Sequence, residues 1–170
     1  PELIKVVIYG SVTSCLDDFR EQISWLKNLS FNLEKKLVFI FIGNNGIYKS
    51  KAEEIIKQHC GMHVVESVGF VSQDIISHHL CSADIGISRA DSIYLGKSGT
   101  TISMLEHGLP VLLKGKRPTE SGHVENTSIQ RQLFYPDDPI PQSLLKYPKN
   151  SFLPIITDQY IQYLKHASGE

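Results

Sequence analysis

Gly96-Lys97-Ser98-Gly99-Thr100-Thr101 puts two glycines, a cation and three hydroxyls into one turn. That make-up suits an anion: glycine lets the backbone come close, Lys97 adds charge, and Ser98, Thr100 and Thr101 add hydroxyl donors. If the turn opens a helix, unpaired N–H groups and roughly half a positive charge from the dipole bind phosphate without a cationic protein around them. A plainer reading fits the same residues, with Ser98 or Thr100 an N-cap and the glycines shaping the turn. On the local pattern both readings stay open.

The elements around this turn follow from hydrophobic spacing. Ile4 to Tyr9 reads as a strand, and Leu16, Phe19, Ile23, Leu26 and Leu29 give Cys15 to Ser30 a helical face. Leu37 to Ile42 is an unbroken apolar run, the pattern of a strand buried on both faces of a parallel sheet. A helix over Lys49 to Cys60, a strand over Val64 to Val68, a helix over Gln73 to Cys81 and a strand over Ile85 to Ser88 follow. The fourth helix is expected over Thr100 to His107 and a fifth strand over Pro110 to Leu113. Strands and helices in alternation specify βαβ crossovers and an α/β, doubly wound, Rossmann-like parallel sheet. Beyond it, 116–156 reads as loop-rich, with one short helix near Ser128 to Leu133, and 157–167 as a terminal helix.

The whole of 1–170 is expected to be one domain, and its direct start on a strand reads as a piece excised from a longer two-domain chain. Seventeen Lys and Arg against 18 Asp and Glu leave no electrostatic case for nucleic acid or an anionic membrane as the main partner. Three cysteines, none in metal-ligand spacing, argue against a disulfide scaffold or structural zinc and for a reducing, cytoplasmic setting. No transmembrane segment and no metal are expected. Pro136-Asp137-Asp138-Pro139 is read as turn chemistry. Adjacent His78 and His79 point in different directions on a helix, so they do not form a two-ligand site by themselves. Trp25 is read as core or domain-contact packing.

Ligands of open parallel sheets bind beyond the carboxyl ends of the strands. The first such loop, Gly10-Ser11-Val12-Thr13-Ser14, is not Gly-x-Gly-x-x-Gly, and no Gly-x-x-x-x-Gly-Lys-Ser/Thr occurs, which weighs against NAD dehydrogenases and P-loop NTPases. Gly43-Asn44-Asn45-Gly46 reads as a tight turn. The connection from Ser88 to Lys97 is long for its type, and long connections of this kind are usually functional. Arg89 and Asp91 stand at the mouth of the expected cleft.

The ordered set Val6 to Gly10, Leu37 to Gly43, Val68-Gly69-Phe70-Val71, Ala83 to Ser88 and Glu106-His107-Gly108-Leu109-Pro110-Val111-Leu112 resembles the C-terminal domain of GT-B-fold glycosyltransferases, of the group 1/family 4 kind. The resemblance covers roughly residues 4 to 115. It implies the donor-binding half of a GT-B architecture, with a nucleoside diphosphate sugar as donor substrate and no other cofactor. The implied contacts are Gly10 and Ser11 in the first loop, Phe70 and Val71 near the base, and Gly96, Lys97, Ser98, Gly99, Thr100 and Thr101 around the diphosphate.

The pattern also departs from the family. Ser11 stands where an Arg is usual and Cys15 near the place of a Lys. Of two glutamates eight positions apart, the second falls on Ser103 and the first on Leu95 or Gly96. Lys97 is expected to restore charge, and Ser103 with Glu106 to face the ribose. The resemblance places the acceptor site, and often the catalytic base, on a missing N-terminal domain, with glycan or lipid-linked acceptors and peripheral membrane association through the full-length protein. No catalytic residue is assigned on this chain. A degenerate non-catalytic scaffold and an epimerase-like domain for sugar nucleotides are the alternative readings.

Overall fold

The computed structural model describes residues 2–61, 64–118 and 127–149. The expected terminal helix over 157–167 lies outside the described residues. Strands β1 (Leu3–Tyr9), β2 (Lys36–Ile42), β3 (Val64–Gly69), β4 (Ile85–Ile87), β5 (Val111–Leu112) and β6 (Leu133–Phe134) form one sheet. Helices α1 (Leu16–Asn32), α2 (Lys49–Cys60), α3 (Gln73–Ser82), α4 (Gly99–Glu106) and the short α5 (Thr127–Gln130) connect them. The sheet order is β3-β2-β1-β4-β5-β6, and each neighbouring pair is parallel. This is the doubly wound, Rossmann-like α/β arrangement expected from the alternation.

β2 shows why an unbroken apolar run belongs in such a sheet. Leu37, Phe39 and Phe41 point into one core with Phe19, Ile23, Leu26 and Leu29 of α1 and Ile55 and Ile56 of α2. Val38, Ile40 and Ile42 point into a second core with Leu80 of α3 and Met104 and Leu105 of α4. Alternate side chains thus serve opposite faces, and a one-residue slip would exchange the two cores.

Two features differ from the pattern. The expected helix near Ser128 to Leu133 is only α5, because Val111 N–H donates to Gln132 O and Leu113 N–H to Phe134 O, drawing 133–134 into the sheet as a sixth strand. The connection after β4 is not open loop: Ser92–Lys97 winds into a 3-10 helix capped off by Ser98 N–H to Leu95 O. Leu95 is buried beneath it in the second core, and that burial folds the segment down.

Trp25 is buried, its indole N–H donates to Asp138 O at 3.1 Å, and its ring lies 5.5 Å from that of Phe134. The Pro136 to Pro139 stretch is a turn held by Arg117, whose guanidinium donates twice to Asp138 while Asp138 Oδ2 also accepts from Tyr135 N–H. That hydrogen-bonded carboxylate raises the Arg117 pKa above its ordinary value. Among the described residues no helix is long and apolar enough to cross a membrane.

Candidate functional site

In this strand order the chain leaves β1 toward α1 on one face of the sheet and leaves β4 toward α4 on the other. The loops after β1 and β4 therefore diverge, and a crevice opens at the carboxyl edge between them. A cleft of about 330 Å³ lies there. The β1 loop lines it with Thr13 and Ser14, the β4 end with Arg89, Ala90 and Asp91, the start of α4 with Lys97 and Ser98, and the β5 end with Lys114. Three cationic side chains and one carboxylate line this cleft, on a chain whose formal net charge is −1.

The walls are fixed by buried polar groups. Ser88 Oγ lies 2.6 Å from Thr101 Oγ1, which lies 2.6 Å from Ser98 Oγ, and Ala90 N–H donates to Ser88 Oγ at 3.0 Å. This chain of hydroxyls ties the end of β4 to the first turn of α4. Ser98 is the N-cap of α4 by backbone conformation, yet its side chain makes no capping bond, because it is engaged with Thr101. Thr101 is completely buried and so serves the frame of the site rather than its surface.

The first loop is held from behind. Asn45, buried after β2, donates from Nδ2 to Gly10 O at 2.8 Å, and Val12 N–H donates to Asn45 O. Gly10 has φ +84, and a Cβ there would stand 2.9 Å from Thr100 Cγ2, so the β1 loop and the α4 start touch across the crevice. Ser11 beside it is exposed.

Gln22 of α1 is the third fixture. It is 1% exposed, and Nε2 donates to Ser88 O at 2.8 Å and to Leu112 O at 3.0 Å, clamping the ends of β4 and β5. Among the described residues its Oε1 has no hydrogen-bond partner. We expect Gln22→Leu to lower stability by about 1 kcal/mol, since Ser88 O loses its side-chain donor and Leu112 O keeps only the Ser88 N–H, while the unpaired oxygen leaves as well. Urea unfolding checks this, and an unchanged midpoint would show that the clamp is dispensable.

Gly96 and Gly99 differ from the chain's turn glycines. Neither takes left-handed backbone, and among the described residues a Cβ at either position would meet no atom within 4 Å beyond its chain neighbours and its own helix. Among the described residues nothing in the packing requires glycine there. Behind this segment, burial pushes the Tyr135 phenol up in pKa, against the lowering influence of its hydrogen bond with Ser92.

Of the residues singled out in the sequence, Lys97 and Ser98 line the cleft and Arg89 and Asp91 join them, while Gly10 and Thr100 meet each other without being among its lining residues. Phe70 stands two strands away from β1 and is 84% exposed, while Val71 packs against the second core. Ser103 and Glu106 lie farther along α4 and are not among the lining residues. Ser103 O accepts from the ring of His107, whose other nitrogen lies 2.8 Å from Ser77 Oγ. Thr13, Ser14 and Lys114 line the cleft without having been singled out. The signal for Lys114 is its position directly after an apolar strand, as for Arg89.

His78 and His79, their rings 6.2 Å apart, border a separate groove with Glu66. Among the described residues no group of three or more His, Cys, Asp or Glu is placed to hold a metal ion.

No protein-family model and no curated protein matches the chain. Among solved structures it is similar to AviGT4, a glycosyltransferase involved in avilamycin A biosynthesis, with a TM-score of 0.48 and 11% identity over 99% of this chain. It is also similar to a protein from Listeria monocytogenes named for UDP-N-acetylglucosamine 2-epimerase activity, with a TM-score of 0.42 and 10% identity over 65% of this chain. The chain spans 53% and 27% of the lengths of these two structures. Likenesses of this strength assign neither an activity nor a family.

Proposed function

We propose that this chain is the donor-binding half of a GT-B glycosyltransferase, holding a nucleoside diphosphate sugar for transfer to a glycan or lipid-linked acceptor. The observation that carries the reading is the cleft at the β1/β4 crevice, onto which the first turn of α4 presents Lys97 and Ser98. Gly96 and Gly99 support it, because glycine at positions with no internal need for it keeps room for a ligand beside the backbone.

In this reading the diphosphate rests on the α4 N-terminus and Lys97, Ser103 and Glu106 face the ribose, and the base extends along the carboxyl edge toward Phe70 and Val71. The helix dipole and N–H donors are aimed where negative charge grows as the diphosphate leaves. The acceptor and the proton acceptor come from a second domain, so the chain alone binds donor without transferring sugar.

Titration with uridine and guanosine diphosphates and their sugars, followed by amide NMR shifts, tests the reading. We expect shifts at residues 96–101 for one nucleotide class. No response there to any of them would sink the donor site. Lys97→Ala with Thr100→Val should weaken diphosphate binding about tenfold or more, the worth of one or two charge-assisted hydrogen bonds. Unchanged affinity would return these residues to the role of turn formers.

A further inference from the structure

We infer that the groove between α1 and the turn after β6 binds a neutral oligosaccharide, the extended part of a glycan acceptor. This rests on the donor reading and names its acceptor class. The groove, about 550 Å³, falls within the roughly 300–1,000 Å³ usual for small-molecule sites. It adjoins the cleft, for Lys114 lines the cleft and the next two residues, Gly115 and Lys116, line the groove. On α1, Asp18 lies 3.7 Å from Lys114 Nζ, and the helix continues from there into the groove. Arg20, Ser24 and Asn28, spaced by four, form one stripe about 12 Å long, which suits a chain of sugars rather than a single one.

The wall facing α1 is fixed by its own hydrogen bonds. Asp138 accepts two from the Arg117 guanidinium and one from Tyr135 N–H, and Asp138 N–H donates back to Tyr135 O. Arg117 N–H donates to Asp137 Oδ1, and Trp25, buried beneath the groove, ties the turn to α1 by donating to Asp138 O. Pro136 and Pro139 remove further backbone freedom. A wall ordered in advance spares the ligand the cost of ordering it, which matters most where single contacts are weak.

The lining selects the ligand. Asp138 is spent on Arg117, which leaves Arg20 and Lys116 against Glu21 and Asp137, an even count of charges. Arg20 also pairs with Asp17 at 2.6 Å, so no surplus cation is left for an anion. The cleft differs, with three cations to one carboxylate. Ser24 and Asn28 each donate and accept, while Pro136, Pro139 and Ile140 supply apolar surface. Alternating hydroxyls and C–H faces are what a neutral sugar chain offers to such a lining. A lipid tail lying there would cover these polar groups without pairing them, at about 1–3 kcal/mol for each one buried.

The test applies the native chain, without nucleotide, to a printed array of neutral, acidic and amino oligosaccharides and follows the tightest binder by calorimetry. We expect neutral oligosaccharides to be retained ahead of charged ones. Ser24 is exposed, so Ser24→Trp fills the groove without touching the core and should weaken binding by about tenfold or more. Asn28→Ala should weaken it by about fivefold, the worth of one hydrogen bond. Both variants should keep the native unfolding midpoint, which excludes misfolding as the cause. An array that retains no neutral oligosaccharide overturns the inference, as does a preference for charged ones or native affinity in Ser24→Trp. The probes carry no nucleotide, so the outcomes separate. Nucleotide binding without oligosaccharide binding removes the groove alone, and oligosaccharide binding without nucleotide binding removes the donor reading.

Discussion

Gly108→Ala is expected to lower the free energy of unfolding by roughly 3 kcal/mol. Two causes combine. Gly108 has φ +73, a conformation that costs an L-residue about 1–2 kcal/mol. The larger cause is steric: a Cβ there would stand 1.9 Å from the Tyr147 carbonyl oxygen and 2.8 Å from its carbonyl carbon, and backbone does not yield as a side-chain tip does. Tyr147 N–H donates to Gly108 O at 2.9 Å, and Tyr147 Oη–H donates to Arg131 O, so the segment through Tyr147 must lift away with its hydrogen bonds. Gly43→Ala is the control. Its φ of +83 carries the same conformational cost, but among the described residues no atom beyond its chain neighbours lies within 4 Å of the new methyl. Denaturant midpoints compare the two variants. Equal losses would mean that the contact with Tyr147 contributes nothing and only the backbone angle matters.

Gly108 also shows what a sequence can and cannot disclose. Its place between the fourth helix and Pro110 is legible as a turn before a strand, but its neighbour Tyr147 is 39 residues away along the chain and is brought to it only by tertiary folding. The same division runs through the fold. β2 announces itself, since six consecutive buried apolar residues have few other places to go than the middle of a parallel sheet. β6 does not, because two residues of strand leave no periodicity, and only the carbonyls of Gln132 and Phe134 facing β5 draw it in. The 3-10 helix at Ser92–Lys97 was likewise hidden, its cause being the burial of a single leucine.

For the cleft, the α4 turn is legible because its glycines, lysine and hydroxyls are contiguous. Thr13, Ser14 and Lys114 are single polar residues in three dispersed places, and they converge only once β1, β4 and β5 are known to be neighbours. Strand order is a property of how crossovers pack, not of any local pattern. Gln22 was silent for a related reason. On the helical wheel of α1 it lies beside Ile23 and Leu26 as an ordinary polar residue, and its partners are two carbonyls 66 and 90 residues away. Buried polar residues that close the ends of a sheet carry no sequence signature beyond being polar where the face is otherwise apolar.

Thr101→Val is expected to cost about 2 kcal/mol of stability and to loosen the site with it. The substitution keeps shape and volume while removing the hydroxyl at the centre of the chain from Ala90 N–H through Ser88 Oγ and Thr101 Oγ1 to Ser98 Oγ. Ser88 is 4% exposed and already accepts from Ala90 N–H, so its own proton is left without an acceptor, a desolvation cost of about 1–3 kcal/mol. Ser98, released from Thr101, can turn to cap α4, which competes with any anion for the same first-turn N–H groups. The variant should therefore lose pyrophosphate affinity as well as stability. Thr101→Ser restores the hydroxyl and sacrifices only a methyl, so it should regain the affinity while remaining slightly less stable than the native chain. That split between the two readouts separates the hydroxyl chain from simple packing. If Thr101→Ser and Thr101→Val bind pyrophosphate alike, the hydroxyl network does not shape the anion site, and the α4 turn holds its geometry through backbone and Leu95 burial alone.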